Sequence, residues 1–408
     1  MKAIALSLTN AVRLAQMNKP IYLDYAATTP MCLPALEALY QCLGPKATFG
    51  NPHSSTHIYG IEAKQIIDES TRLFAALIGA LPEEVIWTSG ATEANNLAIQ
   101  GAAHFYMPKG RHLVTTTAEH HAVLDVFRAL EKRGFSVSYL PVNHSGQIDL
   151  DLLSKSLTPE TTLVSIMMVN NELGTIHPLA EIAERVKANG SLLHVDAAQA
   201  LGKLPIDLQS LAVDMMSFSG HKIYGPKGVG ALYLRAQPQT HLQPLFYGGH
   251  QQRKLRPGTE PPGLIAAFAK AAEFCVTNQA SHFQHAQALR TQFCNTLKTL
   301  PGIRFNTDLT HAIPHIVNLC FENLDSETFL LAVQDTLAIS QGSACASGTT
   351  EPSHVLKAIG LKHLQADRSF RFSWGHLTTL ADLTHAGALL SKILQCNDPT
   401  TAHYCERE

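Results

Sequence analysis

The sequence is thin in charge and in aromatic residues. Charged side chains make up 16% of its 408 residues and aromatic ones 7%, and 31 Lys+Arg against 33 Asp+Glu leave a formal net charge of −2. Without an excess of cations there is no electrostatic footprint for a nucleic acid, so direct nucleic-acid binding is not expected. No run reaches the roughly 18 consecutive apolar residues that a membrane-spanning helix needs, so no membrane partner is expected either. The eight cysteines include no C-x-x-C pair and follow no framework spacing. That argues against a disulfide scaffold or zinc cluster and favours a reducing, cytoplasmic compartment. Internal repeats and low-complexity tracts are also missing. Apolar material is plentiful, at 45% of residues, which suits a large packed core. The length suggests two or three domains, or one large and one small.

The first twenty residues stand apart. Their apolar run from Ala3 to Leu8 is interrupted by Ser7 and followed by Thr9 and Asn10, unlike a secretory signal. Ile4, Leu8 and Val12 at i, i+4 spacing fit a short packed helix or a disordered lead-in. From Ile21 to about Leu234 the chain alternates β-rich runs with helical segments. The strand candidates are Val85–Thr88, His112–Thr116, Ser136–Tyr139, Leu163–Met168, Leu192–Val195, Met215–Phe218 and Gly230–Leu234. Helices are expected over Ala94–Ala103, Ala122–Lys132, Leu150–Ser156, Leu179–Ala188 and Leu208–Leu211. This βαβ rhythm predicts an α/β fold with a mainly parallel sheet, whose ligands sit beyond the carboxyl ends of the strands. After the loop Pro257–Gly263 the pattern changes to a long Ala-rich helical stretch, Leu264 to about Leu300, then short strands mixed with helices. The expected division is an extension over 1–20, a large domain over 21–263 and a smaller α+β domain over 264–408.

Three elements in the large domain can carry chemistry. In Val85–Ala94 a strand runs through a small-residue turn into a helix, a place where backbone N–H groups and the helix dipole favour a phosphate. An ordinary βα turn is the competing reading. Asp196 ends a strand and so points into the crevice of an α/β sheet, unless it only caps a helix. Lys222 lies in the Gly-rich loop Gly220–Gly228 between apolar strands, where partial desolvation suits it to form an imine with an aldehyde. A phosphate cradle, a strand-end Asp and a loop Lys together are what pyridoxal 5'-phosphate requires. In the smaller domain Cys345 is flanked by Gly, Ser and Ala, which reads as an exposed loop carrying a thiol. The His53-to-His57 spacing follows Asn51-Pro52 and reads as loop, so no metal site is expected.

The chain resembles the cysteine desulfurases of the NifS/IscS type, within the class V aminotransferase-like pyridoxal-phosphate enzymes. The resemblance rests on YLDYAATTP (Tyr22–Pro30), FGNPHS (Phe49–Ser54), TSGATEANNLAI (Thr88–Ile99), AEHHAVL (Ala118–Leu124), VNNELGTI (Val169–Ile176), HVDAAQALGKLPID (His194–Asp207), MSFSGHKIYGPKGVGALY (Met216–Tyr233), GSACASGTTEPSHVL (Gly342–Leu356) and RFSWG (Arg371–Gly375). It implies fold type I, with a seven-stranded sheet in the large domain and the catalytic cysteine loop on the small one. It implies Lys222 as Schiff-base lysine and general base, Cys345 as the nucleophile that becomes a persulfide, and His120 against the pyridine ring, assisting proton transfer. It further implies Asp196 at the ring nitrogen and Gln199 and Asn171 at the ring hydroxyl and substrate side. Ala91, Thr92, Ser219 and His221 would hold the phosphate, joined by Thr259 from the second subunit of a homodimer. Arg371, with Asn51, would clamp the substrate carboxylate.

The implied reaction takes sulfur from L-cysteine, leaving L-alanine, for a protein acceptor in iron–sulfur cluster assembly or thiolation. A selenocysteine lyase or another class V enzyme, and a non-catalytic sulfur carrier, are the alternatives. His121 reads as a helix-surface residue. The loop Gly248–Lys254, Trp374 and His376 depart from the family pattern and bear on the interface loop and the substrate pocket.

Overall fold

The structure, a computed structural model, describes residues 19–298, 300–341 and 352–396. Most of the N-terminal extension, and the loop carrying Cys345, lie outside the described residues.

A short strand β1 (Ile21–Tyr22) is followed by the strands β2 (Val85–Thr88), β3 (His112–Thr116), β4 (Ser136–Leu140), β5 (Thr161–Ser165), β6 (Leu192–Asp196), β7 (Met215–Ser219) and β8 (Gly230–Leu234). The last seven form one sheet in the order β2-β8-β7-β6-β5-β3-β4, in which β8 alone runs antiparallel to its neighbours. Period-two alternation sorts its side chains onto two apolar cores. Val85, Trp87, Val114, Val164, Met216, Phe218, Ala231 and Tyr233 enter one core, with Ile67 and Phe74 of the helix Ile58–Leu77. Ile86, Leu113, Leu163, Met215, Leu232 and Leu234 enter the other, against the helices Ala91–Phe105 and His121–Glu131. Both faces are covered, so strands such as β3, β5, β7 and β8 are buried along their whole length.

The remaining strands are β9 (Ile303–Phe305), β10 (Ile316–Phe321), β11 (Leu337–Ala338), β12 (Ser340–Gln341) and β13 (Ser369–Ser373). An antiparallel sheet of order β12-β13-β10-β9 carries a third core of Phe293, Phe321, Phe329, Phe370, Phe372 and Trp374. Its members include Leu23, because β1 pairs in parallel with β11. The start of the described chain is thus sewn to its far end.

Two sequence expectations need correction. The stretch expected as one helix from Leu264 is two helices, Pro262–Thr277 and Gln279–Leu297. Asn278 separates them, its side-chain amide donating to the Phe274 carbonyl at 2.8 Å, a local bond that competes with helix continuation. The first helix sends Ile265 and Phe268 into the core of the parallel sheet, and the second sends Leu289 and Phe293 into the third core. Leu208–Leu211 is a turn, not a helix. Asp207 Oδ1 accepts from Gln209 N (3.1 Å) and the Asp207 carbonyl from Leu211 N (3.0 Å), and the turn goes no further.

Candidate active site

Beyond the carboxyl ends of β6 and β7, a cavity of about 580 Å³ opens toward the N-terminus of the helix Ala91–Phe105. That volume suits a cofactor-sized guest. The turn Ser89–Gly90 leads into Ala91 and Thr92, whose N–H groups lie in the first helical turn and have no intrahelical acceptor. Gly230 makes this possible. A Cβ there would lie 2.5 Å from the Cα of Gly90, so any larger residue on β8 would push the turn away. Glu93 holds the turn from the other side, accepting from Ser89 N at 2.7 Å and pairing with Arg256 at 2.9 Å. Ser219, His221 and Lys227 line the same cavity. Burial and the neighbouring cations Lys222 and Lys227 lower His221 to about 4.

Lys222 follows β7 in a single 3-10 turn, and its Nζ donates to the carbonyls of Ala26 (2.6 Å) and Ala27 (2.7 Å). Asp196, the last residue of β6, accepts from Asn95 Nδ2 at 2.8 Å and from Ala198 N at 2.9 Å. Asn95 is fully buried and sits one helical turn after Ala91. His120 caps the helix His121–Glu131 by accepting from Ala122 N at its Nδ1 (3.1 Å), so the neutral ring carries its proton on Nε2. Burial lowers its pKa, Asp196 opposing and Lys222 adding to the fall, which keeps the ring neutral at pH 7. Gln199 is buried beside Lys222, and its Nε2 donates to the same Ala26 carbonyl at 2.8 Å.

Arg371 reaches the cavity from β13. Its Nη1 donates to the Asn171 carbonyl (2.9 Å), and its Nη2 to Asp24 (2.7 Å) and Ser340 (3.1 Å). Its Nε and the Oδ1 of Asn171 are buried with no partner among the described residues, and both residues line the cavity. The wall thus offers an anion cradle, a strand-end carboxylate, a lysine amine and a guanidinium side chain. This donor set fits pyridoxal phosphate together with a small amino acid carrying a carboxylate. Asn51 and Thr259 do not line the cavity. Asn51 accepts from His53 N (3.0 Å), and His53 meets Glu260 at 3.1 Å, so the two residues share an adjoining outer face.

Residues 21–385 match the class-V aminotransferase family. The chain is 45% identical to cysteine desulfurase IscS of Escherichia coli K12 over 376 residues, 92% of this chain and 93% of that one. It belongs to the cysteine desulfurases. A NifS-like protein superposes with a TM-score of 0.85 at 34% identity, covering 92% of this chain and 99% of the other. SspA in complex with cysteine superposes at 0.77 with 38% identity, covering 86% and 98%.

For a cysteine desulfurase of this family the motif residues alone leave out several groups that the cavity needs. Asn95 was legible only as a helix residue. Glu119 and Glu172 sat inside the quoted motifs without a role. Ser353 donates to Glu172 and so ties the residue after the cysteine loop to the cavity wall. His354 Nε2 donates to the Glu119 carbonyl (2.7 Å), and its ring packs 4.5 Å from that of His121, which lines the cavity although the sequence placed it on a helix surface. Trp374 and His376 lie away from the cavity lining. Trp374 packs on Phe293, and His376 between Tyr224 and His282. Within Gly248–Lys254, Gln252, Arg253 and Lys254 take left-handed backbone angles, which lets Gln252 accept from Trp87 N at 2.8 Å.

Glu119 gives a clean test of burial. It is fully buried, its Oε1 accepts from Thr116 Oγ1 and Met167 N (both 3.0 Å), and its Oε2 has no partner among the described residues. Burial raises its pKa from 4.5 to about 8, with Met167 N opposing, so the carboxyl is largely protonated at pH 7. The folded state therefore holds a proton that the unfolded chain releases above pH 4.5, and the associated stability is lost as pH rises toward 8. Glu119→Gln keeps the neutral acceptor and removes that slope. Between pH 5.5 and pH 8 the unfolding free energy from urea titration is expected to fall further for the parent protein than for the variant, by about 3 kcal/mol. Equal pH slopes would mean that Glu119 is ionised in the fold.

Proposed function

We propose that the cavity carries out cysteine desulfuration, with L-cysteine as substrate, L-alanine as product and Cys345 as the first sulfur acceptor. Pyridoxal phosphate, when bound, supplies an aldehyde that condenses with amines and a ring that draws electrons from the carbon beside the amine. The other roles fall to this chain. Ala91, Thr92, Ser219 and His221 would hold the phosphate, and Asp196, fixed by Asn95, would meet the ring nitrogen. Gln199 and Asn171 would address the ring hydroxyl and the substrate. Lys222 Nζ would hold the aldehyde carbon and then carry a proton as general base, with neutral His120 offering its Nε2 proton nearby. Arg371 would bind the substrate carboxylate, with Asn51 in support. The balanced step is L-cysteine plus the Cys345 thiol giving L-alanine plus a Cys345 persulfide. No external oxidant is required.

The observation that carries this reading is the convergence of Lys222, Asp196, His120 and Arg371 on one cavity. A homodimer fits the exposed apolar surface of Leu33, Tyr40, Phe49, Ile58 and Tyr59, close to the Thr259 segment expected to complete the partner's site. A division into a parallel-sheet domain and a smaller domain carrying Cys345 fits the separate cores. The enzyme would work in the cytoplasm and pass sulfur to a protein acceptor; no described helix is long and apolar enough to cross a membrane. The test is incubation with L-cysteine, following alanine release and persulfide on Cys345 by mass spectrometry. Cys345→Ser is expected to abolish the persulfide and lower sulfide release at least about a hundredfold, in the range of losing a positioned catalytic group. Full sulfide release from that variant would refute the reading.

A further inference from the structure

Behind Gln199 lies a second lysine that the proposed chemistry does not use. Lys203 sits four residues after Gln199, and the turn bonds Leu201 N to the Ala197 carbonyl (3.3 Å) and Leu204 N to the Ala200 carbonyl (2.9 Å) bring the two side chains to one side. Gly202 sets the direction. Its φ is +73°, and a Cβ there would lie 2.4 Å from Cys275 Cβ, so only glycine lets the chain turn Lys203 inward at this point. Part of the Lys203 surface stays exposed, but its amine is surrounded by protein and donates to Gln199 Oε1 at 2.8 Å. Burial lowers it to about 7, Lys222 adding to the fall, Cys275 opposing and Arg371 adding a little more. A lysine held in such a place is costly, and its bond to Gln199 offers a reason.

A carboxamide has one acceptor edge and one donor edge. Because the Lys203 amine carries N–H donors in either protonation state, it holds Oε1 toward itself. That leaves Nε2 facing the Ala26 carbonyl, which also accepts from Lys222 Nζ at 2.6 Å. Gln199 Nε2 has a second hydrogen, and Gln199 lines the cavity.

We infer that Lys203 is a positioning residue that locks the Gln199 carboxamide with its N–H edge toward the cavity, as a fixed donor to the ring oxygen of the bound cofactor. The inference rests on the reading that this cavity takes pyridoxal phosphate. A donor on that oxygen weakens the hold of the lysine-linked cofactor on its imine proton. Removing Lys203 therefore raises the pH at which the visible band of the holoenzyme converts.

The experiment is a spectrophotometric pH titration of four holoenzymes: the parent, Lys203→Met, Gln199→Ala and the double variant. Lys203→Met is expected to raise the midpoint by about one pH unit, a tenfold change in proton affinity. In the Gln199→Ala background the same substitution is expected to move it by less than about a quarter of that, because the lock acts through Gln199. Lys203→Arg restores a donor and is expected to return the midpoint toward the parent value. If Lys203→Met does not give soluble holoenzyme, Lys203→Leu, which also lacks a donor, carries the same comparison. An unchanged midpoint, or equal shifts in both backgrounds, overturns the inference and makes Lys203 a packing residue. Absence of any visible band in the parent would overturn the cofactor reading itself, so the two failures are distinct.

Discussion

Lys222→Ala is expected to lower alanine formation from L-cysteine by about a thousandfold or more, while the protein still folds. A positioned proton carrier is worth roughly 10²–10⁴ in rate, and losing the amine that holds the cofactor adds to this. The structural cost is smaller. Removing Nζ leaves the carbonyls of Ala26 and Ala27 without one donor, although Ala26 keeps Gln199 Nε2. One under-satisfied carbonyl costs roughly 1–3 kcal/mol, well below what unfolds most domains. The measurements are single-turnover alanine release and the visible band, with borohydride trapping of the cofactor as control. The parent is expected to become covalently labelled at Lys222 and the variant is not. A variant retaining a tenth of parental turnover would assign the proton to another group.

Arg371→Lys is expected to raise KM for L-cysteine by roughly 30–100-fold with a smaller change in kcat, the loss of one or two charge-assisted hydrogen bonds. The guanidinium spans three acceptors on three segments, at Asn171, Asp24 and Ser340, while the side chain lines the cavity. An ammonium has one nitrogen and cannot cover that spread. Asp24, mostly buried, would keep the Ser340 hydroxyl but lose its guanidinium partner, so a drop of several degrees in Tm is expected as well. If KM is unchanged and only Tm falls, Arg371 is an inter-segment clamp and the substrate carboxylate is bound elsewhere.

How far the sequence alone reached depends on where each property resides. The seven strands were legible because both-sided burial leaves apolar runs, and β2, β3 and β8 begin and end where the pattern placed them. Asp196, Lys222 and the Ser89–Thr92 turn were legible because a strand end or a glycine-rich loop restricts what a residue there can do. Asn95, Glu119 and Glu172 were not. Each acquires its role from a partner far along the chain or from desolvation, and neither leaves a local pattern. The break at Asn278 was hidden for a related reason: alanine-rich segments on either side are equally helical, and only the cores they face differ. Asn51 and Thr259 carried roles through resemblance alone, and in one chain they sit on the outer face.

The parallel pairing of Ile21–Tyr22 with Leu337–Ala338 has a mechanical consequence. Just downstream, Tyr25 N donates to the Ser373 carbonyl (3.3 Å) and Ala26 N to Ser373 Oγ (2.9 Å), two residues along β13 from Arg371. Ala26 and Ala27 then hold Lys222. The guanidinium on one side of the cleft and the amine on the other are therefore moored to the same few peptide units, which fixes the spacing between them.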